Sequence, residues 1–137
     1  MRPESTPKLT LPHISPAAAK PLYEQIVEGI KREVGAGQLP AHTPLPSFRE
    51  LAEDLLVSLI TTKRAYDELE RAGIIYRRQG LGTFVAEDGA ARSREVKRDQ
   101  VDALLQEAIQ EGLEAGMIAR EIMNRVKTLL QEKEDSK

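Results

Sequence analysis

The chain has no cysteine and no tryptophan, and aromatic residues make up only 4% of its 137 positions. Without cysteine, disulfides and thiolate metal sites are excluded, and the composition fits a reducing compartment. Three tyrosines and two phenylalanines cannot fill a core, so the core must be mostly aliphatic. The two histidines, His13 and His42, lie far apart, and nothing near either resembles a metal site or a catalytic triad. No apolar run approaches the ~18 residues that a bilayer span needs. Met1 to Thr10 lacks a basic-then-apolar signal pattern, so a cytoplasmic protein without a membrane partner is expected. Paired carboxylates with supporting residues, a Ser/His/Asp set and a phosphate loop following a strand are all missing; neither an enzyme nor a cofactor or metal is expected. Net charge is −2, whereas a generic nucleic-acid coater would be basic.

What the chain does have is a patterned stretch from Leu45 to Val85, LPSFRELAEDLL, VSLITTKRAYDELERAG, IIYRRQGLGTFV. Ser47 is followed three residues later by Glu50, a capping box that should start a helix burying Leu51, Ala52 and Leu55. Ser58 is a second N-cap candidate. The short turn between them is the length a helix-turn-helix requires. In the second helix Ala65, Tyr66 and Leu69 form an inward stripe, while Thr61, Lys63 and Arg64 occupy another face. The N-terminal part of such a helix enters the DNA major groove, where polar side chains read base edges. Gly73 should end the helix in a left-handed conformation. Ile74 to Arg78 and Thr83 to Val85 read as strands joined by Gln79-Gly80-Leu81-Gly82, with Arg77 and Arg78 approaching the tip. Gly80 and Gly82 would let the backbone come close to a phosphate or groove wall. Six basic and six acidic residues lie between Ala41 and Ala86, against nine and twelve from Glu87 onward, so the negative excess sits in the tail.

The segments LPSFRELAEDLLVS and RAYDELERAGIIYRRQGLGTFV, with Pro21-Leu22-Tyr23-Glu24-Gln25-Ile26 upstream, closely resemble the N-terminal domain of GntR-family bacterial transcription regulators. The short tail resembles the YtrA-type branch, which lacks a large effector-binding domain. The resemblance implies sequence-specific operator binding as a homodimer, usually in repression. By analogy Arg49, Lys63 and Arg64 would contact DNA, Ser47, Ser58 and Thr61 would hold phosphates or bases, and Gly80 would approach the minor groove. The chain departs from the family pattern at Leu56, where the turn usually carries glycine, and at Leu59 and Ile60, where polar residues or proline are usual. Thr62 occupies a hydrophobic core position. Three readings of Leu59-Ile60 are open: contact with thymine methyls, weakened or altered DNA binding, or a rotated or frayed helix with Leu59 packed on Leu56.

Taken in order, residues 1–19 hold Pro3, Pro7, Pro12 and Pro16 and read as a flexible arm whose Leu9, Leu11 and Ile14 could dock on a neighbour. A first helix should start at Lys20-Pro21 and carry Leu22, Ile26, Ile30 and Val34 inward, ending at Gly35 and Gly37. Gln38 to Pro44 reads as a loop. The winged domain covers 20–87, a linker 88–93 follows, and Ser93 can cap the next helix. Residues 94–137 read as a helical dimerisation region. Its first helix carries Val101, Leu104, Leu105, Ile109 and Leu113 on one stripe, interrupted at Gly112 and ended by Gly116. Its second carries Ile118, Ile122, Val126, Leu129 and Leu130.

The expected fold is therefore mainly α with a small β-wing: a winged helix-turn-helix followed by a C-terminal two-helix hairpin. The expected function is a DNA-binding transcription regulator, most simply a repressor, acting as a homodimer on a palindromic double-stranded operator. A winged-helix protein–protein module without DNA binding is the alternative, favoured by the acidic balance and by Leu59-Ile60. A small-molecule effector, hydrophobic or cationic and unidentified, would suit a pocket near Met117 and Met123, although methionines at helical spacing are more commonly core.

Overall fold

The computed structural model describes Leu9, Leu11 and residues 14–136. The elements run α1 (Leu22–Gly35), β1 (Pro44–Leu45), α2 (Phe48–Leu55), α3 (Leu59–Arg71), β2 (Ile75–Arg78), β3 (Gly82–Val85), α4 (Gly89–Glu114) and α5 (Ala119–Asp135). They form two compact units, Met1–Lys97 and Arg98–Lys137, with α4 beginning in the first and ending in the second.

In the first unit, α1 places Ile26, Ile30 and Val34 at zero exposure, the four-residue spacing of an amphipathic face. Pro21 sits just outside this helix as its N-cap and Gly37 turns the chain with φ +81°. Ser47 starts α2 through the full capping box. Its Oγ accepts from the Glu50 N–H at 3.1 Å, and Glu50 Oε1 accepts from the Ser47 N–H at 2.9 Å. α2 ends at Leu56, which holds φ 56° and ψ 46° in the left-handed region. Ser58 then caps α3, accepting from the Thr61 N–H at 3.1 Å. Thr62, Ala65, Tyr66 and Leu69 are fully buried along one stripe of α3. Two of these are polar and anchored: Thr62 Oγ1 donates to the Phe48 carbonyl at 2.7 Å and Tyr66 OH to the Pro46 carbonyl at 2.6 Å. A threonine at a core position is thus satisfied, at little cost. Gly73, φ +77°, follows the helix as expected.

The sheet has the order β1-β3-β2, antiparallel throughout, with Ile75 opposite Val85, Arg77 opposite Thr83, and Leu45 also opposite Thr83. The two-residue strand β1 falls partly within the segment expected to be loop; it is too short to show a period of its own, and only its pairing with β3 makes it a strand.

Two expectations about the flanks are corrected. Leu9 and Leu11, assigned to a flexible arm, are 6% and 8% exposed and belong to the core of their own unit rather than docking on a neighbour. Leu11 fills the space beside Gly29, where an added Cβ would lie 3.1 Å from its side chain. Gln25 ties the following residues down, accepting from the Ser15 N–H at 2.8 Å and donating to the carbonyls of Ser15 and Lys20. His13 lies outside the described residues. The expected linker is also helical from Gly89, and Ser93 sits inside α4, not at its start. Ser93 is buried and its hydroxyl donates to the Lys31 carbonyl at 2.5 Å, while Arg94 donates to the Gly35 carbonyl at 3.1 Å. The bond to Lys31, not a cap, explains the serine. At Gly89 the helix lies close against its own unit: a Cβ there would stand 2.8 Å from the Ile74 carbonyl oxygen.

In the second unit α4 runs without interruption through Gly112 and ends before Gly116, φ +82°. Glu121 accepts from the Ile118 N–H at the start of α5. Gly112 marks the approach of the two helices, since a Cβ there would meet Ile122 at 3.1 Å and the Met117 sulfur at 3.6 Å. No described residue of this unit is buried.

Candidate nucleic-acid interface

The outward face of α3 is set by its buried face. Successive residues turn 100°, so with Thr62, Ala65 and Leu69 inside, Ile60, Lys63, Arg64, Asp67 and Arg71 must point away. Together with Glu68 they line a shallow groove of about 370 Å³ along the helix. Ile60 is 80% exposed and Leu59 39%. The Ser58 cap is formed and the stripe is in register, so the helix is neither frayed nor rotated. Leu56 is 91% exposed, which rules out shelter for Leu59 against it.

The cations on this face are positioned. Arg64 lies flat over Tyr23 of α1, its guanidinium carbon 3.7 Å from the ring centroid, and its Nη2 donates to the Tyr23 hydroxyl at 3.0 Å. That hydroxyl in turn donates to Glu24 Oε1 at 3.2 Å. Desolvation and this bond to Glu24 push the Tyr23 phenol above its ordinary value. Lys63 reaches Asp67 one turn on, at 3.3 Å. Asp67 is shared: its other oxygen accepts from Arg77 Nη2 at 2.9 Å. Partial desolvation raises the Asp67 pKa, but the hydrogen bonds from Lys63 and Arg77 outweigh it and hold the carboxyl below the usual range.

Arg77 is placed differently from the other expected contacts. It faces inward from β2, 6.0 Å from the rings of both Phe48 and Tyr66, with its Nε buried and without a hydrogen-bond partner among the described residues. In this arrangement it braces the sheet against α3. The neighbouring Arg78 points the other way, 5.6 Å over Tyr76. Tyr76 stacks on Phe84 and meets His42 Nδ1 through its hydroxyl at 2.9 Å. Arg49 is exposed at the start of α2, 5.5 Å from the Phe48 ring. Ser47 and Ser58 spend their hydroxyls on caps, and Ser58 Oγ also lies 2.7 Å from Thr61 Oγ1. At the hairpin, Gly80 (φ +77°) has open space around it and Gly82 has φ +125°. Both need glycine's freedom. Between them Leu81 is 75% exposed.

The model of the bacterial regulatory proteins of the gntR family matches residues 22–85, from the start of α1 to the end of the wing. The HTH-type transcriptional repressor YtrA of Bacillus subtilis is 32% identical over 116 residues, 85% of this chain and 89% of the relative. The chain belongs to the GntR family. A solved GntR family transcriptional regulator from Listeria monocytogenes, 37% identical, superposes with a TM-score of 0.67 over 80% of this chain and 96% of its own. YtrA from Sulfolobus acidocaldarius, a GntR-family transcription factor, is 28% identical with a TM-score of 0.60 over 74% of this chain and 99% of its own. The match to YtrA along nearly its whole length assigns the chain to the YtrA-type, winged helix followed by C-terminal helices.

Within this GntR domain, sequence reasoning missed Tyr23 and Arg71. Tyr23 stands 41 positions from Arg64, so no local spacing could pair them. Arg71 follows from the helical period, as it lies eleven residues, about three turns, beyond Ile60.

Proposed function

We propose that this GntR-family chain is a transcription repressor that acts as a homodimer on a palindromic operator. The observation that carries the reading is the outward face of α3, where Lys63, Arg64 and Arg71 stand opposite a tightly buried stripe. A helix presented this way suits the major groove, with the wing tip at Gly80 and Gly82 beside the adjoining backbone. Lys63, Arg64 and Thr61 would meet base edges or phosphates. Arg49 and the N-termini of α2 and α3, capped by Ser47 and Ser58, would receive phosphates, which helix N-termini favour. Arg77 would act through Asp67, holding the wing to α3.

The second unit supports dimerisation. Val101, Leu104, Leu105, Ile109, Leu113, Ile118, Leu129 and Leu130 are each between 45% and 64% exposed, and Ile122 and Val126 only half-buried. So many exposed apolar side chains on two adjoining helices are rarely left in water, and a two-fold partner would cover the same face on both copies. A second copy also doubles the DNA contacts. The site of action is the cytoplasm, and no described helix is long and apolar enough to cross a membrane. A small-molecule effector remains part of the proposal, with Met123 exposed and Met117 packed near Gly112.

The test is fluorescence anisotropy with a fragment of the promoter of the chain's own operon, at two salt concentrations, against unrelated DNA, with sedimentation to give the mass in solution. Tight, salt-weakened binding to the promoter alone, by a dimer, is the expected result. Equal weak binding to both DNAs would overturn the operator reading and favour a protein–protein module.

A further inference from the structure

We infer that Ile60 is a specificity-determining residue that reads the C5-methyl group of a thymine in each operator half-site. The inference rests on the operator reading above and deepens it. Ile60 is the second residue of α3 and is 80% exposed. It cannot turn inward: Thr62, two residues on and 200° around the helix, is fixed in the core by its hydrogen bond to the Phe48 carbonyl. Lys63 and Arg64 follow one turn later on the same groove, which also holds Asp67, Glu68 and Arg71, so Ile60 forms the leading, apolar end of a charged face. Folding gives no reason for an isoleucine here. A β-branched side chain slightly disfavours the helix, and an exposed one gains no burial. In the major groove the thymine methyl is the apolar mark among donors and acceptors, and an apolar side chain is its complement. Where the cations meet phosphates they supply affinity to any duplex, while Ile60 adds discrimination at one base pair.

The experiment selects a preferred duplex from a randomised pool with the full-length protein, then replaces each thymine in turn by uracil, which removes only the methyl. Binding is measured by anisotropy for the wild type and for Ile60→Ala. The wild type should lose about fourfold at one position per half-site, the loss expected for one buried methyl-sized group. Ile60→Ala should bind the thymine duplex correspondingly weaker and be indifferent to uracil at that position alone. Its thermal midpoint should not fall, because the side chain touches little of its own domain and alanine favours the helix. A wild type indifferent to uracil everywhere, or an Ile60→Ala variant that keeps the full uracil penalty, overturns the inference while leaving the operator reading intact. A protein that selects no preferred duplex overturns both.

Discussion

Arg64 and Tyr23 form a stacked pair between α3 and α1, with the guanidinium carbon 3.7 Å from the ring centroid and a 3.0 Å hydrogen bond to the phenol oxygen. The pair ties the first helix of the domain to the face proposed to meet DNA. It also removes rotamer freedom from a long side chain before any ligand arrives.

A double-mutant cycle checks this tie. Tyr23→Leu and Arg64→Met, alone and together, should show a coupling energy of about 0.5–1 kcal/mol in urea unfolding, the range for an exposed cation–π contact. Tyr23→Phe should retain much of it, since the ring remains and only the hydroxyl is lost. Additive effects of the two substitutions would mean that the stacking contributes nothing to the folded state.

Leu56 carries a backbone conformation that suits glycine. At φ 56° its Cβ crowds the following carbonyl, a strain of roughly 1–2 kcal/mol, and at 91% exposure its side chain returns no burial energy. Leu56→Gly should therefore stabilise the protein, by about 1 kcal/mol once the added freedom of the unfolded glycine is subtracted. Thermal unfolding measures this. A lowered midpoint would show that the leucine makes a contact that matters more than the strain.

Acid should weaken the brace between the wing and α3. The folded-state pKa of Asp67 is depressed, so its contribution is fully present above the unfolded value near ~3.9 and is lost as pH falls through the lower folded value. Asp67→Asn should cost stability at pH 7, and the gap between wild type and variant should narrow as pH drops below about 4. Urea midpoints across this range provide the check. The carboxylate is partly exposed at 38%, so the effect should also shrink in high salt.

Removing Leu11 tests whether the N-terminal segment is part of the fold. The side chain is 8% exposed and fills the notch above Gly29. Leu11→Ala should cost about 2–3 kcal/mol, as core leucines do. A cost below about 0.5 kcal/mol, the level of an ordinary surface substitution, would return the segment to the status of a loose arm.

The helices of the winged domain were legible because their signals are local. The capping box at Ser47 and Glu50, the Ser58 cap, the stripe of Ala65, Tyr66 and Leu69 and the glycine after α3 all act within one or two turns. The segments misread share the opposite property. Leu11 looked like part of an arm because composition does not register that it meets Gly29. Ser93 looked like a cap because serine usually is one, and its acceptor is the Lys31 carbonyl, 62 residues away. Arg77 and Arg78 are adjacent and chemically identical. Only the alternation of β2, fixed by the Ile75–Val85 and Arg77–Thr83 register, sends one to Asp67 and the other to Tyr76.

From the sequence alone came the order of the helices and the wing, the winged helix-turn-helix, the apolar stripes of the C-terminal helices and, on α3, Lys63 and Arg64. Each of these depends on spacing and on backbone propensity, which the neighbours in the chain decide. Which cation is stacked and which are paired was decided by the tertiary structure. Arg64 rests on Tyr23, Lys63 and Arg77 share Asp67, and Ile60 is left uncovered at the head of the groove. Those outcomes depend on which helices and strands come together in space, and a long side chain takes the partner that packing brings within reach.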